Sequence, residues 1–205
     1  MRQADAFRDR VTADGSSGFP AVAGRYHLYV SLACPWAHRT IIVRKLYGLQ
    51  DALGMTVVDP VRDERGWAFG NGPGYAPDSV NGFAFLSEAY LARDPHYRGR
   101  VTVPVLWDKQ TRQIVSNSDD DIMRDLECEF GAVARTALDF YPQALRAEVD
   151  ALNERIYETV NDGVYRAGFA TSQSTSTSPT SSATIITRMT TSIRRASSRS
   201  ARPWT

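Results

Sequence analysis

The sequence predicts an α/β domain, preceded by an N-terminal extension and followed by the first helices of an all-α domain. Three observations predict this. A strand-like stretch runs directly into a helix-like one near residue 30. Two strand-like stretches near residue 110 are separated only by a polar turn. An apolar stripe at helical spacing begins near residue 145.

Residues 1–25 read as the extension. Tyr26 to Leu32 (YHLYVSL) alternates and is rich in aromatic and branched residues, which predicts a strand; Trp36 to Tyr47 (WAHRTIIVRKLY) predicts a helix that stops at Gly48. Met55 to Val58 is a second short strand. Asp59 to Asn81 is a long Gly/Pro-rich loop holding GWAFGNGPGY, and loops of that length in a compact domain are usually functional or disordered. Phe83 to Arg93 predicts a short helix. Val101 to Asp108 (VTVPVLWD) and Gln113 to Ser116 (QIVS) flank the turn KQTR and predict a hairpin. Asp119 to Glu129 suits a helix whose acidic first turn complements the macrodipole. Apolar residues at 145, 149, 152, 156 and 160 mark one face of a helix over Ala144 to Val160. The order βαβ, α, ββα is that of a thioredoxin-like domain, placed at residues 26–130, with a helical domain starting over residues 131–173.

Composition narrows the class. A chain of 205 residues, 42% hydrophobic, can bury a real core. It contains no apolar run of about 18 residues, and MRQADAFRDR is charged where a signal peptide would be apolar. The expected location is therefore cytoplasmic, with no membrane partner. Cys34 and Cys128 are far apart and form no CxxC pair, so each is expected as a free thiol. His27, His38 and His96 are scattered without ligand spacing, so no metal is expected.

Residues 174–205 differ in kind. More than half are Ser or Thr, they hold five arginines and no acidic residue, and the formal net charge of +1 owes its sign to them. Such a stretch buries too little apolar surface to offset its chain entropy, and it reads as a disordered tail. With no aromatic or folded platform beside the arginines, no nucleic-acid partner is expected. The abrupt change after Gln173 reads as an out-of-frame ending that truncates the helical domain.

The chemistry centres on SLACPWAHRT. Cys34 stands between the predicted strand and helix, with Pro35 at the first helical position, where its missing N–H is harmless. Free N–H groups of a first helical turn and the helix dipole stabilise a thiolate, so the thiol is expected below its usual pKa of about 8.5. The other reading is a small buried hydrophobe. Ala37 occupies the position of a resolving cysteine, so a mixed disulfide on Cys34 would need an external thiol such as glutathione. Pro104 reads either as part of an edge strand or as a cis-proline turn beside the thiol, leaving the backbone of Val103 to pair with a peptide-like ligand.

CPWAHR, the GWAFG loop, RVTVPVLWD and NDGVYRAGFATSQ, in that order, resemble the glutathionyl-hydroquinone reductases, the Xi class of glutathione transferases. The entry segment VTADGSSGFP adds to the likeness, which covers roughly residues 5 to 173. The resemblance implies a thioredoxin-like N-terminal domain followed by the start of an all-α glutathione-transferase C-terminal domain, with glutathione as co-substrate and a homodimer as the assembly.

It also implies roles. Cys34 would be the nucleophile and Tyr165 a proton donor or acceptor. Trp67 would pack on glutathione, and Val101, Thr102, Val103 and Pro104 would pair with its cysteinyl part. Read by themselves, Trp67 could anchor its loop and Tyr165 could be a core aromatic. Where the family has Glu-Ser in SNES to grip the γ-glutamyl end, this chain reads SNSDDDI. Ser118 and Asp119 would then supply hydroxyl and carboxylate in swapped order, unless the acidic run is a solvated helix start. The activity implied is removal of glutathione from glutathionyl-hydroquinones. Two alternatives stand beside it: a general glutathione thioltransferase or dehydroascorbate reductase, and an inactive remnant that binds glutathione.

Overall fold

A computed structural model describes residues 5–170. The predicted tail at 174–205 lies outside the described residues, as do 171–173. The described chain divides into two compact units, one ending at Phe140 and one beginning at Tyr141.

In the first unit β1 (Tyr26–Val30) is buried at every position, as a strand with neighbours on both edges and cover on both faces must be. It pairs in parallel with β2 (Gly54–Val57) and antiparallel with β3 (Val105–Asp108), which continues antiparallel to β4 (Gln113–Ser116). The sheet order is β2-β1-β3-β4. Three helices belong to this unit: α1 (Pro35–Leu46), α2 (Ser87–Arg93) and α3 (Asp119–Cys128). Leu28, Leu106, Trp107, Ile114, Ile122 and Leu126 are among the residues that form its sealed core.

α1 begins at Pro35 and ends with Arg44 and Lys45 in its last turn, where cations oppose the negative helix end. Gly48 follows at φ +63, and a Cβ there would lie 2.7 Å from Cβ of Arg135. Both the left-handed backbone and the close approach demand glycine. α3 is capped by Ser118, whose Oγ accepts from Asp121 N at 3.4 Å.

The N-terminal segment is bound along β4 and α3. Asp9 N donates to Val115 O at 3.1 Å, Val11 N to Asp125 Oδ2 at 2.9 Å and Ala13 N to Glu129 Oε2 at 2.8 Å. Arg8 and Arg10 pair with Asp121 and Asp125 from the same helix. Residues 131–140 also belong to this unit. Arg135 N donates to Tyr47 O at 2.9 Å, Thr136 Oγ1 to Leu46 O at 2.7 Å and Phe140 N to Glu127 Oε1 at 2.9 Å. The division therefore falls ten residues beyond the one expected at 130/131, because this segment closes over the end of α1.

Other boundaries shift for local reasons. β1 ends at Val30 rather than Leu32, because Ser31 O turns to accept Cys34 N at 3.2 Å. The strand expected from Val101 starts only at Val105, since Pro104 has no N–H for a ladder. Residues 83–86 are not helical; they return along the long loop, with Phe69 N on Ala84 O at 2.8 Å and Leu86 N on Trp67 O at 2.9 Å.

The second unit is helical. A 3₁₀ turn (Gln143–Leu145) leads into α4 (Arg146–Ile156), a π-helical turn (Tyr157–Asn161) and α5 (Asp162–Gly168), so the expected single helix over 144–160 is divided by a change of hydrogen-bond period. No described helix is long and apolar enough to cross a membrane.

Candidate functional site

Cys34 is the N-cap of α1, in extended backbone at φ −104 and ψ 113, and its carbonyl accepts His38 N at 3.0 Å. The residue is half-buried, and its thiol donates to Val103 O at 3.6 Å. That carbonyl belongs to the Val103–Pro104 bond, which is cis. Of the two readings of Pro104, the chain adopts the cis turn beside the thiol.

The acidity of Cys34 departs from expectation. Burial pushes the thiol up, and this outweighs the backbone N–H groups of Ala37 and Trp36, which favour the thiolate as a helix N-terminus should. The Asp119 carboxylate also raises it, and Arg100 lowers it. The helix N-terminus favours the thiolate, but the sulfur sits deep enough for desolvation to prevail. Cys128 is exposed at the end of α3.

The segment expected to pair with glutathione is held from behind. Thr102 N donates to the Tyr90 hydroxyl at 3.1 Å, and that hydroxyl donates to Thr102 O at 3.0 Å. Tyr90 is fully buried and stacks near Phe7 and Tyr97. Val103 and Pro104 are buried, whereas Val101 and Thr102 are half-buried.

SNSDDDI resolves into separate tasks. Ser118 is fully buried and caps α3, and its N–H donates to Ser116 Oγ at 3.1 Å. Asp119 pairs with Arg39 of α1, which also donates to Asp120 at 2.8 Å. Asp121 faces away, toward Arg8 at 2.6 and 2.9 Å. Burial raises the Asp119 carboxyl to about 6 despite the opposing pull of Arg39, with Asp120 adding to the rise. Arg39, Arg8 and, at 3.9 Å, Arg10 share the charge of the three carboxylates.

Trp67 is half-buried against the core, with the Arg62 guanidinium 5.8 Å from its ring centroid. Its indole N–H is buried and has no hydrogen-bond partner among the described residues. The long loop that carries it is pinned by Asp78, whose carboxylate accepts the Tyr29 hydroxyl at 2.9 Å and Val80 N at 3.0 Å. Tyr165 lies on α5 of the second unit, 39% exposed.

The structure thus brings Cys34 to Val103, and the Asp119 carboxylate opposes the thiolate electrostatically. Arg39, Tyr90 and Asn117, whose Nδ2 donates to Thr102 Oγ1 at 3.1 Å, are residues of this neighbourhood without a role in the sequence-based expectation. Arg39 had a signal: three adjacent carboxylates call for a cation, and Arg39 sits inside the motif that carries Cys34. Tyr90 and Asn117 had none, because their partners are remote or backbone.

Residues 33–128 match the family model described as glutathione S-transferase, N-terminal domain. Among curated relatives, the glutathionyl-hydroquinone reductase YqjG of Escherichia coli K12 is 53% identical over 180 residues, covering 84% of this chain and 55% of the relative. The glutathionyl-hydroquinone reductase PcpF of Sphingobium chlorophenolicum is 47% identical over 157 residues, covering 77% of this chain and 50% of the relative. The chain spans about half the length of these curated relatives. A glutathione-bound structure of the Escherichia coli K-12 protein superposes with a TM-score of 0.82 at 48% identity, over 93% of this chain and 62% of that one. The glutathione-S-transferase Xi from Phanerochaete chrysosporium gives 0.81 at 45% identity, over 85% and 60%.

Proposed function

We propose that the chain, which by its likeness to the glutathionyl-hydroquinone reductases belongs with the Xi-class glutathione transferases, is a glutathione-dependent enzyme that removes glutathione from glutathionyl-hydroquinones. The observation that carries the reading is Cys34 itself: a lone cysteine at the N-cap of α1, its sulfur against Val103 O of a cis-proline turn, with Ala37 where a second thiol would stand.

The Cys34 thiolate attacks the sulfur of the thioether. A disulfide forms between Cys34 and the glutathionyl group, the carbon–sulfur bond breaks, and its electron pair goes to the ring carbon, which takes a proton with the assistance of Tyr165. A second glutathione thiolate then attacks the glutathionyl sulfur of the mixed disulfide, releasing glutathione disulfide and restoring Cys34. Val103 and Pro104, with Val101 and Thr102, would align the cysteinyl part, Trp67 would pack on the ligand, and Asp119 and Ser118 would mark the γ-glutamyl end. The homodimer implied by the resemblance belongs to the same proposal.

Desolvation favours a second reading, in which the chain binds glutathione without turnover: burial pushes the Cys34 thiol up. Assay of a glutathionyl-hydroquinone beside a simple glutathione mixed disulfide separates the readings. Cys34→Ser is expected to abolish both reactions and Cys128→Ser neither. Tyr165→Phe is expected to slow the hydroquinone reaction about 100-fold while sparing the disulfide. Equal loss from both cysteine variants would overturn the single-nucleophile mechanism, and glutathione binding without turnover of either substrate would establish the second reading.

A further inference from the structure

We propose that Asn117 is a positioning residue, whose buried amide locks the Val101–Pro104 turn to the start of α3 and so sets where the Val103 carbonyl stands against Cys34. Only its ligand rests on the function proposed above.

Asn117 lies between the end of β4 and the cap residue Ser118, and it is 4% exposed. Its Oδ1 accepts Phe7 N at 2.8 Å, its backbone N–H donates to Phe7 O at 3.0 Å, and its Nδ2 donates to Thr102 Oγ1 at 3.1 Å. One side chain therefore joins three segments distant in sequence. Thr102 is gripped on its other side by the Tyr90 hydroxyl, and the Phe7 ring lies 5.7 Å from the Tyr90 ring. The next residue, Val103, carries the carbonyl that accepts the Cys34 thiol. In the other direction Ser118 caps α3, whose first residue is Asp119. One amide thus links both backbone approaches to the candidate glutathione site, sharing the hold on Thr102 with the Tyr90 hydroxyl.

An amide suits this place because it offers an acceptor and a donor in fixed relation, and each is used in a buried setting where an unmade hydrogen bond is costly. A neutral thiol that donates to a carbonyl is stabilised as the thiol, so loosening Val103 releases the proton more readily.

The test uses the full chain with Asn117→Ala, Thr102→Val and the double variant. The pH profile of Cys34 alkylation by iodoacetamide is read by mass mapping, and glutathione binding by calorimetry. Each single variant is expected to move the alkylation midpoint about half a pH unit lower and to weaken glutathione about fivefold. The double variant is expected to lose less than the sum of the two singles, since both remove the Asn117–Thr102 bond, while Thr102→Val alone also removes the contact of Thr102 Oγ1 with the Tyr90 hydroxyl. Should Asn117→Ala not fold, Thr102→Val carries the test alone. An unchanged alkylation profile in the folded variants, with only the melting temperature lowered, would show a merely structural role and sink the proposal. A parent chain that binds no glutathione, with an alkylation midpoint that still moves, would overturn the ligand reading and leave the positioning role standing.

Discussion

The first unit seals Leu28, Tyr29, Leu106 and Trp107 from solvent, whereas among the described residues of the second only Gly163 is buried. Both were legible in the sequence as regular elements. The difference lies in what a pattern promises. Strand alternation and helical spacing state which side of an element is apolar; they do not state that anything covers it. In the first unit β1 and β3 are buried at every position, although Ile42 and Leu46 of α1 stay 48% and 42% exposed. In the second, Leu145 and Leu152 lie on the predicted stripe and are 47% and 55% exposed.

The strongest challenge to that contrast is Trp107→Ala. Trp107 is sealed on β3 with the Phe83 ring 5.7 Å away, so its loss should cost about 4 kcal/mol, as for other large aromatic truncations in cores. Urea unfolding followed by circular dichroism measures this, and a cost below about 1 kcal/mol would mean that the first unit is not cooperatively packed.

A smaller effect sharpens the contrast within the first unit, between its apolar core and its charged edge. Asp119 titrates near 6, so a role in holding the ligand's ammonium exists only above that pH. Asp119→Asn should weaken glutathione about tenfold at pH 7.5 and have no effect at pH 5, where the parent's carboxyl is itself neutral. Calorimetry at the two pH values checks this, and a loss independent of pH would assign the effect to shape rather than charge. Stability runs the opposite way. The folded carboxyl is raised above its unfolded value, so its contribution is fully present below about 4 and is lost as pH rises through 6.

The smallest expected effect lies in the second unit. Leu152→Ala should change unfolding free energy by less than about 0.5 kcal/mol, because the side chain is already half in water. A cost matching that of Trp107→Ala would erase the distinction between the units.

Much of the candidate site was readable from local rules. Cys-Pro at a strand-to-helix junction located the N-cap, because proline tolerates only the first helical turn. Ala37 excluded a second thiol at the dithiol position. The VTVPVL stretch marked a turn by its proline, although only the folded chain decides that the bond is cis and that its carbonyl meets Cys34. The swapped Ser118 and Asp119 were visible as a departure from the family pattern, but not that Ser118 serves its own helix and Asp119 faces Arg39.

The sequence alone determined the elements near the thiol, their order and the identity of the candidate nucleophile, since caps, prolines and apolar spacing act within a few residues. The tertiary structure decided the acidity of that nucleophile and what holds its neighbours in place. Desolvation depends on how much protein surrounds the sulfur. The Asn117 amide finds Phe7 across 110 positions, a distance that no local pattern spans.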